Sequence, residues 1–381
     1  MTAAARRGRS RALLLGCVVL GLTGCAGDAA SGADGLDGPA AADVAEPVDA
    51  ADGAAEFAQL VARYDLLTTA AGRGEVGEDG VNSWLAAYEG GPASAAELSR
   101  PHMAQADAAG RVFIADKDAH AIRRVDPDGT VHTVAGSGVA GDDGDAAGPA
   151  VARRLSSPNG LWVREDGVFY PLDLGNDKIR RVGVDGVMTT LATDAEGLAG
   201  GRGLWVAADE RLAYWSSETR VRRWRAGVGI DTYASGFVDL GNLVVGPDGV
   251  LVVTDRGAHR VYRVPAPGVV EPLAGSGATA GGAEGAPALE QPLWGVRGVW
   301  PMDTGGYLLA THEGSAVHYL DRFGGLHLFL AGAPGAHAGD GQFFRAPGAK
   351  VSEVRAVTVA PNGDVLVTEH DSGFVRRVRR R

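Results

Sequence analysis

From residue 100 onward the chain keeps one rhythm: apolar runs of about five residues, each cut by Gly, Asn or Asp. Asp166-Gly167, Asp248-Gly249 and Asn362-Gly363 fall between first and second runs, and Asp128-Gly129 and Asp185-Gly186 between third and fourth. Gly and Asn accept the positive φ of tight turns, so these pairs predict hairpins. The pattern recurs over 100–138, 157–194, 201–236, 240–277, 295–332 and 353–381. Six units of four antiparallel strands, with no helix between them, predict an all-β fold: a six-bladed β-propeller of four-stranded blades.

The sixth unit stops after three runs. The missing fourth run stands at the other end of the chain, as LLTTAA in 66–71. A strand over 65–71 is therefore predicted to complete the last blade, leaving no unpaired edge there. Before it, AAEFAQLVARY (54–64) spaces Phe57, Leu60, Val61 and Tyr64 as one face of a helix. The propeller domain is placed at 57–381, with its blades from about residue 100.

Composition adds little to this picture until the N-terminus. RRGRSR (6–11) followed by ALLLGCVVLGL (12–22) reads as an export signal, too short to span a bilayer. Its end, Leu22-Thr23-Gly24-Cys25, resembles the lipobox of bacterial lipoproteins. That resemblance implies a signal over 1–24, lipidation of Cys25 and a bacterial envelope location on a lipid anchor. It also makes the membrane a partner. Residues 25–56 carry acids, no Lys or Arg, and few large apolar groups, which predicts a disordered tether. The two cysteines are Cys17 and Cys25, so the folded part has no thiol chemistry. A net charge of −11 lacks the positive footprint of a nucleic-acid binder.

IADKDAHAIRRVDPDGTVHTVAG (114–136) and NDKIRRVGVDGVMTTLA (176–192) resemble the NHL-repeat family. The resemblance covers about 65–381 and weakens in the third unit, where WSSETRVRRW replaces the Asp-containing turn. It implies the propeller fold and inter-blade linkers on one face. His120 and His259 occupy the family's turn slot and read as structural. Some propeller enzymes, amidating lyases with NHL-like repeats and gluconolactonase-like hydrolases, hold a metal at the channel mouth.

Strand alternation puts the long inserts, 72–99, 135–156, 275–290 and 332–351, on one face, where binding usually resides. The first residues of the innermost strands should ring the mouth of the channel there: His102, Asn159, Arg202, Gly241 with Asn242, Arg297 and Arg355. Three arginines on one pocket need either acids or a bound anion. Asp116, Asp173, Asp255, His312 and Glu369 end the second strands nearby and could serve as partners. Otherwise the arginine forks suit a carboxylate, a phosphate or an acidic sugar.

His312, Glu369 and His370 form a candidate metal set. No cofactor is predicted, and Zn²⁺ or Ca²⁺ is the alternative that set would serve, against the charge of the arginines. Asp142, Asp143 and Asp145 resemble part of a Ca²⁺ loop without its closing Glu and read as a solvated acidic loop. Trp162, Trp205 and Trp300 share one position in the innermost strand and read as packing between blades. No nucleophile elbow, paired cysteine ligands or phosphate loop is present. The sequence thus describes an envelope-anchored binding or scaffold protein that engages a protein or a small anionic ligand on the long-loop face. The alternative is a metal-dependent lyase or lactonase-like hydrolase acting at the mouth, and catalysis is left open.

Overall fold

The structure, a computed structural model, describes residues 50–381. The signal, Cys25 and most of the acidic tether lie outside the described residues. Six antiparallel sheets of four strands form the blades of a six-bladed β-propeller, the second carrying an added short strand, Gly148–Pro149. The innermost strands are Pro101–Ala106, Pro158–Val163, Leu204–Val206, Leu240–Val245, Val296–Pro301 and Val354–Val359. Each packs on the next, and the last packs on the first, so the ring is continuous.

The second strands, such as Val112–Asp116 (VFIAD) and Leu251–Asp255 (LVVTD), are buried at every position except Leu212, which opens that of the third blade. They lie between other strands and between neighbouring blades, which is why their sequences run apolar without alternation. Turn residues behave as their chemistry requires: Gly167, Gly249 and Gly363 sit at φ 89, 77 and 88, where a side chain would be strained.

The strand Tyr64–Ala71 pairs antiparallel with the last strand, Phe374–Arg380, placing Leu67 opposite Val378. One sheet therefore holds strands from both ends of the described chain. The helix before it, α1, runs Ala50–Ala62 and begins inside the stretch expected as tether. Ala-rich sequence favours that extension, and Glu56 fixes it by accepting from the Tyr319 hydroxyl. Phe57 and Leu60 are buried beneath the helix, with Phe57 stacked on His327 at 4.5 Å. Tyr64 leaves the helical pattern and opens the strand, its ring against Phe329 and Phe344.

The long inserts have a structural task that the sequence reading did not assign. Each folds onto the outer edge of the blade it precedes, through Pro92 on Thr130, Gly148–Pro149 on Val187 and Met188, Pro287 on Gly325, and Phe343 on Leu66. Edges that would offer unpaired backbone groups are thereby covered. The inserts also bury apolar groups of their own, among them Leu98, Leu155, Ala288 and Phe344.

Candidate functional site

The innermost strands enter the ring at the mouth, and close backbone approach brings their first residues together. A Cβ on Gly203 would lie 2.5 Å from the Leu243 nitrogen, and one on Gly241 would lie 2.6 Å from the Arg297 carbonyl oxygen. Side-chain bridges hold the approach: Ser216 donates to the Gly241 carbonyl and Thr254 to the Arg297 carbonyl, both at 2.8 Å. Asn159 donates to the Gly201 carbonyl at 2.5 Å, which leaves its Oδ1 without a partner.

The structure brings His102, Arg202, Arg297 and Arg355 into one electrostatic neighbourhood, and adds Arg256. Arg202 donates through Nη1 to Asp239 at 2.8 Å and to the Gly200 and Leu240 carbonyls, while its Nε has no partner. Arg256 shares Asp239. Arg355 reaches its nearest acid, Asp371, at 3.6 Å. Arg297 is least provided for. It is 5% exposed, its Nε and Nη1 have no partner, and Glu313 lies 3.9 Å from Nη2, beyond hydrogen-bond length. Burial, and then Arg355, Arg256 and Arg202, pull Arg297 down to about 8. Arginine holds its proton near neutral pH even so, and the shift expresses the cost of a desolvated cation among cations.

Imidazoles stand beside these arginines, His312 in the blade of Arg297 and His370 in the blade of Arg355. His102 and His370 meet edge to face at 4.4 Å. Asp371 sits between His370 Nδ1 and His312 Nε2, at 2.7 Å from each. A carboxylate accepts, so both ring nitrogens facing it carry protons. His370 Nε2 is then a bare acceptor, and it has no partner. Burial lowers His370 to about 4 despite its bond to Asp371, and lowers His102 well below the usual histidine range. Burial opposes ionisation of Asp371, but the bonds from His312 and His370 outweigh it and hold the carboxyl well below its ordinary value.

The acids that end the second strands do not serve the mouth. Asp116 accepts from Arg123 at 3.0 Å, Asp173 from Arg180 at 2.9 Å, and Asp255 from the backbone of Val238 and Asp239. Glu369 is turned to His337 and Arg376, away from the cluster that holds His312 and His370. These residues do not fit a divalent cation: both Asp371 oxygens take imidazole N–H groups, and Arg355 and Arg100 stand beside it. The mouth acids are instead Glu313 and Asp371, in the turns after the second strands, with Asp239 from a linker. Glu313 stands beside His312 as its place in the sequence suggests, whereas Asp371 and Asp239 lie past the strands, where register does not reach. Asn242 is buried at the mouth, with its carbonyl accepting from Thr254.

Three residues further along, the lining changes. Trp162 lies 6.1 Å from Trp205 and 5.8 Å from Trp300, which belongs to the blade opposite. Trp162 and Trp300 thus meet across the channel axis, while Trp162 and Trp205 also pack between neighbouring blades, as expected. A register shift between Pro158 and Gly160, and another between Val296 and Gly298, turn both ends of those strands inward. The acidic loop is also committed: Asp142 pairs with Lys178 and Arg180, Asp143 with Arg154, and Asp145 with Lys178. His120 and His259 hold left-handed turns, each accepting through Nδ1 at 3.0 Å from the backbone of the next blade's entry.

The chain matches no family model and no curated protein. Among solved structures it is similar to an auxiliary nutrient binding protein from Bacteroides ovatus, at 13% identity and TM-score 0.60, over 84% of this chain and 77% of that one. It is also similar to a streptogramin B lyase, at 14% identity and TM-score 0.53, over 75% of this chain and 95% of that one. A putative gluconolactonase matches at 13% identity and TM-score 0.51, over 74% and 89% of the two chains. At such identities the likeness establishes the six-bladed propeller fold alone.

Proposed function

We propose that the channel mouth binds a small anionic ligand, and that the chain presents this site from the cell envelope on a lipid anchor at Cys25. Arg297 carries the reading. A buried guanidinium with two unpartnered nitrogens, facing other cations, is costly unless an anion completes it. Asn159 Oδ1 and His370 Nε2 are free acceptors that would receive hydroxyl groups of the same ligand. Nutrient-binding propellers share the fold, which accords with a binding role. The repeats are read as NHL-type on the motifs above.

Thermal-shift titration with phosphate, citrate and glucuronate tests the site. The expected result is saturable stabilisation by at least one of them, with affinity reduced at least tenfold in Arg297→Gln. Equal affinity in that variant would overturn the reading. Cys25→Ala should move the expressed protein from the membrane to the soluble fraction, and an unchanged distribution refutes the anchor.

A second reading, an enzyme of the lyase or lactone-hydrolase kind, has one observation in its favour. The His370–Asp371 pair leaves a neutral imidazole nitrogen unpartnered at the mouth, as proton abstraction requires. Turnover of any lactone or ester that is lost in His370→Asn but keeps its binding would move the conclusion to this reading.

A further inference from the structure

Four blades place an arginine at the same register of the third strand: Arg123, Arg180, Arg222 and Arg376. All four are buried to 3% exposure or less. In the second, third and sixth blades the outermost nitrogen, Nη2, is capped by an acid from the preceding insert or linker. Arg180 Nη2 donates to Asp142 at 2.7 Å, Arg222 Nη2 reaches Glu196 at 3.0 Å, and Arg376 Nη2 donates to Asp340 at 2.8 Å.

The first blade lacks that acid. Arg123 donates through Nε to Asp116 and through Nη1 to Thr133, but its Nη2 has no partner. The nearby Glu89 is spent on the Thr133 backbone and hydroxyl. Where the other inserts bring a carboxylate, this one brings Trp84, whose ring lies 3.7 Å over the guanidinium. An indole face offers cation–π attraction but no in-plane acceptor for an N–H. Burial pulls Arg123 below the usual arginine value. For Arg180, hydrogen bonds to Asp173 and Asp142 outweigh burial and raise it, and for Arg222 the bond to Asp194 leads and raises it.

Arg123 and Trp84 also line a cavity of about 690 Å³, together with Asn82, Ser137, Val151 and Glu89, whose carboxylate is held by Thr133. We infer that this cavity is a second binding site, separate from the mouth, for a small carboxylic acid. Its carboxylate takes on Arg123 the place that Asp142, Glu196 and Asp340 fill in the other blades. Trp84 is the cover that moves aside, and its face receives the body of the acid.

Tryptophan fluorescence of the whole chain tests the site, with acetate and benzoate as probes against chloride at equal ionic strength. A saturable spectral change is expected in the wild type and in Arg297→Gln, and its loss in Trp84→Phe assigns the signal. A change that vanishes in Arg297→Gln belongs to the mouth and overturns the inference, as does no saturable change at all. Because replacing Arg123 could unfold the blade, a second comparison uses Trp84→Glu and Trp84→Gln. Trp84→Glu supplies the missing carboxylate within the chain and should melt several degrees above Trp84→Gln. Equal melting points would show that Nη2 does not call for an acid, and would sink the proposal independently of any ligand.

Discussion

The two ends of the central channel are built on the same strands, three residues apart, and they are opposites. Asn159, Arg202 and Arg297 open three of these strands at the mouth, and Trp162, Trp205 and Trp300 follow them inward. The indoles satisfy one another across the axis and between neighbouring blades. The mouth satisfies itself poorly, with unpartnered nitrogens on Arg297, Arg355, His102 and His370. Aromatic packing stabilises a ring whatever is bound, whereas desolvated cations and bare imidazoles cost stability and persist where something else benefits. The contrast gives stability to one end and, on the proposed function, recognition to the other.

Both ends depend on the ring being intact, so opening it is the harshest test. Deletion of residues 57–72 removes buried Phe57, Leu60, Tyr64 and Leu67 and exposes the edge of Phe374–Arg380. Loss of cooperative thermal unfolding is expected, and a truncated chain with an unchanged melting midpoint would refute the structural role given to that strand. Trp162→Ala should cost less, about 3 kcal/mol in urea unfolding, as for other large-to-small aromatic changes. It should leave anion affinity at the mouth within a factor of about two, since the mouth residues are held by bridges from Ser216 and Thr254. A collapse of affinity would mean that the two ends are not separable.

How far the sequence revealed this contrast depends on where each residue lies. Hairpin pairs such as Asp248-Gly249 made the blades legible, because tight turns constrain residue type directly. Arg202, Arg297 and Arg355 were legible by register. Their partners Asp239 and Asp371 were not, since they stand in a linker and a turn where no periodicity applies. Asp116, Asp173 and Glu369 pointed to the wrong end of the argument. Each meets an arginine seven residues on, Arg123, Arg180 and Arg376, across the hairpin between second and third strands. That spacing was present in the sequence as a recurring signal. The facing of the tryptophans was hidden by register shifts, which break the period of two on which strand facing is read.

Acid should weaken the mouth more than the tryptophan end. His370 stays neutral in the fold down to about 4, pressed by burial and by Arg355 and Lys117, while the same group in the unfolded chain binds a proton near 6.5. Between these values the unfolded state holds more protons, so stability rises with pH across the window and falls as pH drops. The effect should reach a few kcal/mol, at 1.36 kcal/mol per unit. His370→Asn should flatten the slope of unfolding free energy between pH 4 and 6.5. An unaltered slope in that variant would place the acid sensitivity elsewhere.

Arg297→Met carries the smallest expected change in stability and the sharpest separation of roles. The substitution keeps a long side chain in a site that is 5% exposed and removes a cation held among Arg355, Arg256 and Arg202. Burying an imperfectly paired cation among other cations is disfavoured, so an apolar replacement is expected to be neutral or slightly stabilising. The variant should therefore unfold at equal or higher urea concentration than the wild type. It should also lose the stabilisation that a bound anion confers, which at a hundredfold excess over Kd is about 2.7 kcal/mol. Greater stability with weaker binding is the signature of a residue kept for its ligand. Lower stability with unchanged binding would make Arg297 part of the scaffold, and the two ends of the channel would no longer differ in purpose.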